Sequence, residues 1–410
     1  LLLAFILNAG NAITAEKNTK PISYDEQWSK VDQFAKDDRP ESAMKEVKII
    51  LKQAESDKNS VQFIKASVQA MVFTLKIDPD KAPAQILGFE SLIGKATDAS
   101  DKAILQSMTA QLYVWYYRIK SYDFNKRTEV IGLDPGDLTQ WTKNNFSEKI
   151  RSLLAASMQN AELLQKTDIK KYEALLNNVG NNLLQPTLFD LLAKRKIDLL
   201  TDLKRYLYES DFAANPEILF LPSEKFVKAE VDTMVGSAID QEIIRTYQKW
   251  LQFRGNDSNK AALILTDLNR VEAFNSLFEG RKNQYESNED LGLTALAAAY
   301  VKALETLADK YSNEEQVLNI LASEAEFYKG QHNSIDTIHK FYFRKAYEIC
   351  ADGIARFPKA KNLDVLKNIQ DKIKQVSMYI YNNAVVKPHT MLEIELVALN
   401  LDRVELKIYR

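Results

Sequence analysis

The chain has 410 residues, room for about two or three ordinary domains and a sizeable buried core. Its 12 Gly and 10 Pro are less than half of the usual combined share of about 12%. That shortage argues against a sandwich or barrel over most of the length, and against a low-complexity linker protein. With 54 Lys+Arg against 56 Asp+Glu the net charge is −2, so no basic excess exists to follow a phosphate backbone and nucleic acid is not expected as a partner.

The first residues, Leu1-Leu2-Leu3-Ala4-Phe5-Ile6-Leu7, are followed by the small residues Gly10, Ala12 and Ala15 and then by a polar stretch from Glu16 to Lys20. This pattern predicts a truncated secretory signal peptide over 1–15, its charged start missing, with cleavage among the small residues. An apolar first helix is the competing reading. The first predicts an exported protein, periplasmic or extracellular. No cysteine follows the leader to carry a lipid, and no other segment approaches the ~18 apolar residues of a membrane span.

From Tyr24 to about Gln375 the recurring period is helical. Val47, Ile50, Leu51 and Ala54 form one stripe; Leu293, Leu296, Ala297, Tyr300, Leu304 and Leu307 another. Val317, Ile320, Leu321 and Tyr328 repeat it, as do Phe343, Ala346, Tyr347, Cys350 and Ile354. Between the stripes lie turn signals: Asp37-Asp38-Arg39-Pro40, Asp78-Pro79-Asp80, Asp134-Pro135-Gly136-Asp137 and Arg254-Gly255-Asn256-Asp257. Arg39-Pro40-Glu41-Ser42-Ala43 and the run from Ala346 to Phe357-Pro358 look like pieces of tetratricopeptide-type helix pairs, although no strict 34-residue period runs through the chain. The expected fold is mainly α, a degenerate TPR-like helical solenoid.

Glu209 to Glu224 interrupts the rhythm with Pro216 and Phe220-Leu221-Pro222-Ser223. It is read as an extended connection, with Ser223 capping the next helix. It divides a first helical lobe, 21–208, from a second, 209–375. Beyond Gln375 the period becomes two. Leu392, Ile394 and Leu396 alternate with Glu393 and Glu395, and Val404, Leu406 and Ile408 alternate with Glu405 and Lys407. Two strands alone are barely stable, so 385–410 is expected to open a β domain whose remainder lies elsewhere in a longer protein.

Signals of chemistry are few. Cys350, the single cysteine, lies on an apolar stripe and is expected to be a buried structural thiol. His332 and His339 flank a turn without the His-Glu-x-x-His arrangement of a zinc protease, and His389 stands alone. Glu324 and Glu326, two apart on a helix, point to different sides and do not form an acid/base pair. Tyr113, Trp115, Tyr116 and Tyr117, then Tyr122 and Phe124, could line a sugar- or peptide-binding groove, but suit a solenoid core with polar tips better. The two acids of Asp134-Pro135-Gly136-Asp137 are too few for a calcium loop. No phosphate-binding Gly-rich loop or Gly-x-Ser-x-Gly elbow occurs. No catalytic, cofactor-binding or metal-ligating residue is assigned, and the chain is not expected to be an enzyme.

Several stretches, in order, resemble one family. They are Tyr24-Asp25-Glu26-Gln27-Trp28 leading to Arg39-Pro40-Glu41-Ser42-Ala43, Phe124-Asn125-Lys126-Arg127-Thr128 leading to Asp134-Pro135-Gly136-Asp137-Leu138 and Trp141, and Gln185-Pro186-Thr187-Leu188-Phe189-Asp190-Leu191-Leu192-Ala193. With Leu401 to Arg410 as the opening of a first macroglobulin β-sandwich, the chain resembles the helical N-terminal region of bacterial alpha-2-macroglobulin-like proteins. The resemblance implies a parent protein that traps endopeptidases: cleavage of a bait segment collapses the molecule around the peptidase, and a thioester can capture it. Neither bait nor thioester matches any residue here, so no functional residue is carried over. Target endopeptidases would be met by C-terminal parts of the parent, while the helical region docks or spaces, with envelope proteins as possible partners. A cell-envelope helical-repeat scaffold or ligand-binding protein is the alternative.

Overall fold

The computed structural model describes residues 23–128, 134–176, 184–207, 216–231, 237–257, 260–278, 287–288, 293–331, 341–381, 395–401, 403–405 and 407. The three histidines and Leu392, Ile394, Leu406 and Ile408 lie outside them, as does the stretch 1–15 read as a signal peptide. The described chain is mainly helical. It divides into two compact units, one made of 1–214 with 227–263 and the other of 215–226 with 264–410. No described helix is long and apolar enough to cross a membrane.

The first unit begins with α1 (Tyr24–Lys36), α2 (Pro40–Ser56) and α3 (Ser60–Ile77). Ser23 and Glu26 form a reciprocal capping box on α1, and Pro40 takes the first position of α2, where a missing N–H is harmless. Both connections are three residues long and reverse in the same way. Asp38 (φ 54°) and Lys58 (φ 53°) adopt left-handed backbone, and the following N–H returns to the helix, Arg39 to Phe34 O at 2.9 Å and Asn59 to Ala54 O at 2.9 Å. Such short turns fold consecutive helices back on each other. Ala43, Val47, Ile50 and Ala66 are buried between them, with Trp28 donating its indole N–H to Gln62 at 2.8 Å.

After α4 (Ala82–Lys95) comes α5 (Ala99–Phe124), the 26-residue centre of this unit. Buried residues occupy every side of it, as expected of a helix packed all round. It packs against α4, α6 (Lys143–Ser157) and α8 (Leu188–Leu207); α7 (Ala161–Lys166) and α11 (Ala238–Arg254) pack on α8.

In the second unit, residues 216–226 are not an extended connection. Two single helical turns, α9 (Pro216–Leu219) and α10 (Ser223–Phe226), occupy them, with Ser223 inside the second turn and not capping it. What fixes this stretch is long-range. The buried guanidinium of Arg270, on α12 (Ala261–Phe278), donates to the carbonyls of Leu219 and Leu221, and Asp267 accepts from it at 2.7 Å. Then α13 (Ala295–Lys310), α14 (Val317–Gly330), α15 (Tyr342–Arg356) and α16 (Leu363–Lys374) pack in succession, α14 also touching α16. Gly353 permits the tightest approach among the described glycines: a Cβ there would lie 2.8 Å from Leu366 Cδ1 and 3.0 Å from Leu321 Cδ1.

Two residue pairs at β1 (Ser287–Asn288) and β2 (Leu293–Thr294) make a minimal ladder. The main ladder follows α16. β3 (Ser377–Tyr381) pairs antiparallel with β4 (Glu395–Leu399), Met378 opposite Ala398 and Ile380 opposite Leu396. The passage from helix to strand thus falls at 374–377, close to the change of period. β4 overlaps the first alternating run. β3 precedes the expected start of the β region at 385: Met378-Tyr379-Ile380-Tyr381 is apolar throughout and carries no two-residue alternation. The described residues 403–405 and 407 carry no strand. Asn400, at φ 55°, ties the ribbon to the helical body: its side-chain amide donates to Ile373 O at 2.6 Å and Gln375 O at 3.1 Å.

Candidate functional site

The stretches singled out in the sequence are structural knots. Phe124 packs among Tyr116, Tyr117 and Phe146, all buried, and Tyr113 stacks on Trp141 at 5.5 Å, so this aromatic run is core. Trp115 is half-buried and Tyr122 exposed. Asn125 accepts from the Tyr117 hydroxyl and donates to Tyr206 O, while Arg127 lies over the Phe124 ring and donates to the carbonyls of Thr139 and Trp141. Asp134 accepts from Gly136 N at 2.8 Å; Asp137 accepts from Thr139 N at 3.0 Å, and its bond to the Thr139 hydroxyl helps to hold the carboxyl below its usual range. Both acids are spent on turn geometry.

Cys350 is fully buried on α15. Burial first, then the charge of Glu326 against that of Lys329, pushes its thiol up to about 12, which leaves essentially no thiolate for nucleophilic work. Glu326 pairs with Lys329 on its own helix, whereas Glu324 is buried. Burial, reinforced by Glu305 and Asp309 and opposed by Lys345, raises its carboxyl to about 7. Nearby, Tyr328 donates to Glu305 at 3.4 Å and accepts from Lys345 Nζ at 2.6 Å. The two-residue spacing separates Glu324 from Glu326 but does not by itself report the burial of Glu324. The signal was there, since 317, 321, 324 and 328 share one face of α14.

Asp190 is the opposite kind of buried carboxylate. It sits three residues into the start of α8 and accepts from Thr187 N at 2.8 Å and the Thr187 hydroxyl at 2.6 Å. Trp250 Nε1 and Arg254 Nε donate to its other oxygen at 2.7 and 2.8 Å, and Arg254 Nη2 donates to the oxygen that also accepts from Thr187. The stretch from Gln185 to Ala193 is therefore a helix start locked to α11.

One concave feature of the first unit belongs to none of these. A groove of about 750 Å³ runs along α11, with Glu242, Arg245, Thr246, Lys249, Gln252 and Phe253 on one stripe. Ala155, Ala156, Met158 and Gln159 from the end of α6 and Phe189 and Lys196 from α8 face it. Glu242 accepts from Arg151 Nε at 2.5 Å and lies 3.5 Å from Lys196 Nζ. Burial, together with the nearby charges of Lys249 and Arg151, lowers the Lys196 pKa in spite of Glu242. The positions 242, 245, 246, 249, 252 and 253 follow a helical period, which is the signal a sequence reading focused on apolar stripes passes over.

No group of three or more His, Cys, Asp or Glu side chains suited to a metal ion occurs among the described residues. No protein family model, curated protein or solved structure matches the chain.

Proposed function

We propose that this chain is the helical N-terminal part of an exported alpha-2-macroglobulin-like endopeptidase inhibitor, a docking or spacer module of degenerate TPR-like helix pairs leading into a first macroglobulin domain. The observation that carries the reading is the ribbon after α16. Met378, Ile380, Leu396 and Ala398 share one wholly apolar face; the other pairs Tyr379 with Val397, Leu399 with Ser377 and Tyr381 with Glu395. Met378, Tyr379 and Ile380 are each about half exposed. A two-stranded ribbon with one wholly apolar face and apolar residues on the other is marginal alone and suits a larger β domain that covers it. The ordered resemblance of the helical stretches points the same way. Small residues at close helix contacts, Ala43, Ala346 and Gly353, support the helix-pair description.

No residue here matches a bait or a thioester, and Cys350 is buried with its pKa pushed up to about 12, so trapping is assigned to the parent protein. Incubated with endopeptidases, the parent should protect a large protein substrate while itself being cut at one segment; residues 16–410 alone should give no protection. Failure of the parent to protect removes the inhibitor reading, and strong protection by this chain alone removes the division of labour. The α11 groove favours a second reading, a ligand-binding helical protein of the cell envelope.

A further inference from the structure

We infer that the groove along α11 binds an extended acidic peptide segment. This stands apart from the inhibitor reading and rests on shape, charge and hydrogen-bonding groups together. From Glu242 to Phe253 the stripe rises about 17 Å at the helical ~1.5 Å per residue, the length of about five residues of extended peptide. The groove is open along that length, with Arg245, Lys249 and Gln252 exposed. This suits a chain segment laid into it better than an enclosed small molecule.

Among the described lining residues the only carboxylate is Glu242, and it already serves two cations, Arg151 and Lys196. Lys196 is only 13% exposed, and the charge of nearby Lys249 adds to the positive potential there. A carboxylate entering the groove would relieve that excess in a partly desolvated place, where charge attraction is stronger than in water. Apolar lining comes from Ala155, Ala156, Ala161, Met158, Phe189 and Phe253, and the flexible Met158 can adapt to different side chains. Four side-chain amides, Gln159, Gln165, Gln252 and Asn256, also line it. Each offers both a donor and an acceptor, which matches the alternating C=O and N–H of an extended backbone. A fatty acid has a carboxylate and an apolar body but no donors and acceptors along its length to meet amides spread along the groove.

The test uses a fluorescein-labelled peptide alternating Glu and Leu, its Gln–Leu counterpart, and dodecanoate as competitor, titrated into the whole chain. The Glu–Leu peptide should bind about tenfold or more tightly than the neutral one, with the difference shrinking as salt rises. Lys249→Glu, an exposed change that should leave the melting curve unaltered, should weaken the acidic peptide about tenfold and spare the neutral one; Lys196→Gln should act in the same direction. Equal affinity for the two peptides, or an unchanged profile in a folded Lys249→Glu protein, overturns the inference. So does dodecanoate binding as tightly as the acidic peptide, which would make the groove an amphiphile site.

Discussion

The corner where α8 meets α11 and the layer formed by α13, α14 and α15 each bury a carboxylate on a helix, and they treat it in opposite ways. Asp190 is fully buried and accepts from a backbone N–H, a hydroxyl, an indole and the Arg254 guanidinium. Around Arg254, desolvation works against its charge, but Asp190 and Asp257 more than offset it and raise its pKa. Glu324 is almost as buried, yet no hydrogen bond to its side chain forms among the described residues. Glu305 and Asp309 act in the same direction as burial, and its carboxyl titrates near neutrality. Burial alone therefore does not decide what a buried acid does; the donors aimed at it do.

The largest effect expected from this contrast is at Asp190. Asp190→Ala removes the anion from a buried pair and leaves the Arg254 guanidinium and the Trp250 N–H without their main acceptor. Urea unfolding should show a loss of about 3–5 kcal/mol. A loss below about 1 kcal/mol would mean that the corner is not held by this carboxylate.

Glu324 should respond with the opposite sign. Its folded pKa lies above the unfolded value, so its stabilising contribution is complete below about 4.5 and is lost as pH rises through about 7. At about 1.4 kcal/mol per unit, that interval amounts to on the order of 3 kcal/mol. Glu324→Gln should therefore stabilise the protein at pH 8 and change little near pH 4.5, read from denaturant midpoints at both values. A uniform effect at the two pH values would break the contrast.

Smaller effects sharpen the packing side of the same layer. Gly353→Ala puts a methyl 2.8 Å from Leu366 Cδ1, so the helices must part; a cost of about 1–3 kcal/mol in thermal unfolding is expected. Cys350→Ala removes one small buried group for about 1 kcal/mol, and the native thiol should resist labelling until the chain unfolds.

Much of the fold was legible in the sequence, because apolar stripes with a helical period and Pro- or Asp-rich turns report local geometry. The mainly helical character of the described residues from Tyr24 to Lys374 and the strand around Leu396 follow from period alone. The turns at 216–226 did not, since their conformation is fixed by Arg270, some fifty residues away in the chain. β3 was missed for want of alternation, and Glu324 because a charged residue on an apolar stripe reads as an interruption. The α11 groove was hidden in another way. Its polar stripe looks like an ordinary solvated face until α6 and α8 turn that face into a concave one.

Hydrogen exchange resolved by segment, compared between pH 5.5 and 8 in the wild type and in Glu324→Gln, tests the contrast most directly. After correction for intrinsic rates, α13, α14 and α15 of the wild type should lose about 2 kcal/mol of opening free energy over that range. The variant should lose none of it, and α8 and α11 should hold theirs in both proteins. Equal loss in all five helices, or a loss in α14 that survives Glu324→Gln, would contradict the assignment of the pH response to one poorly partnered carboxylate.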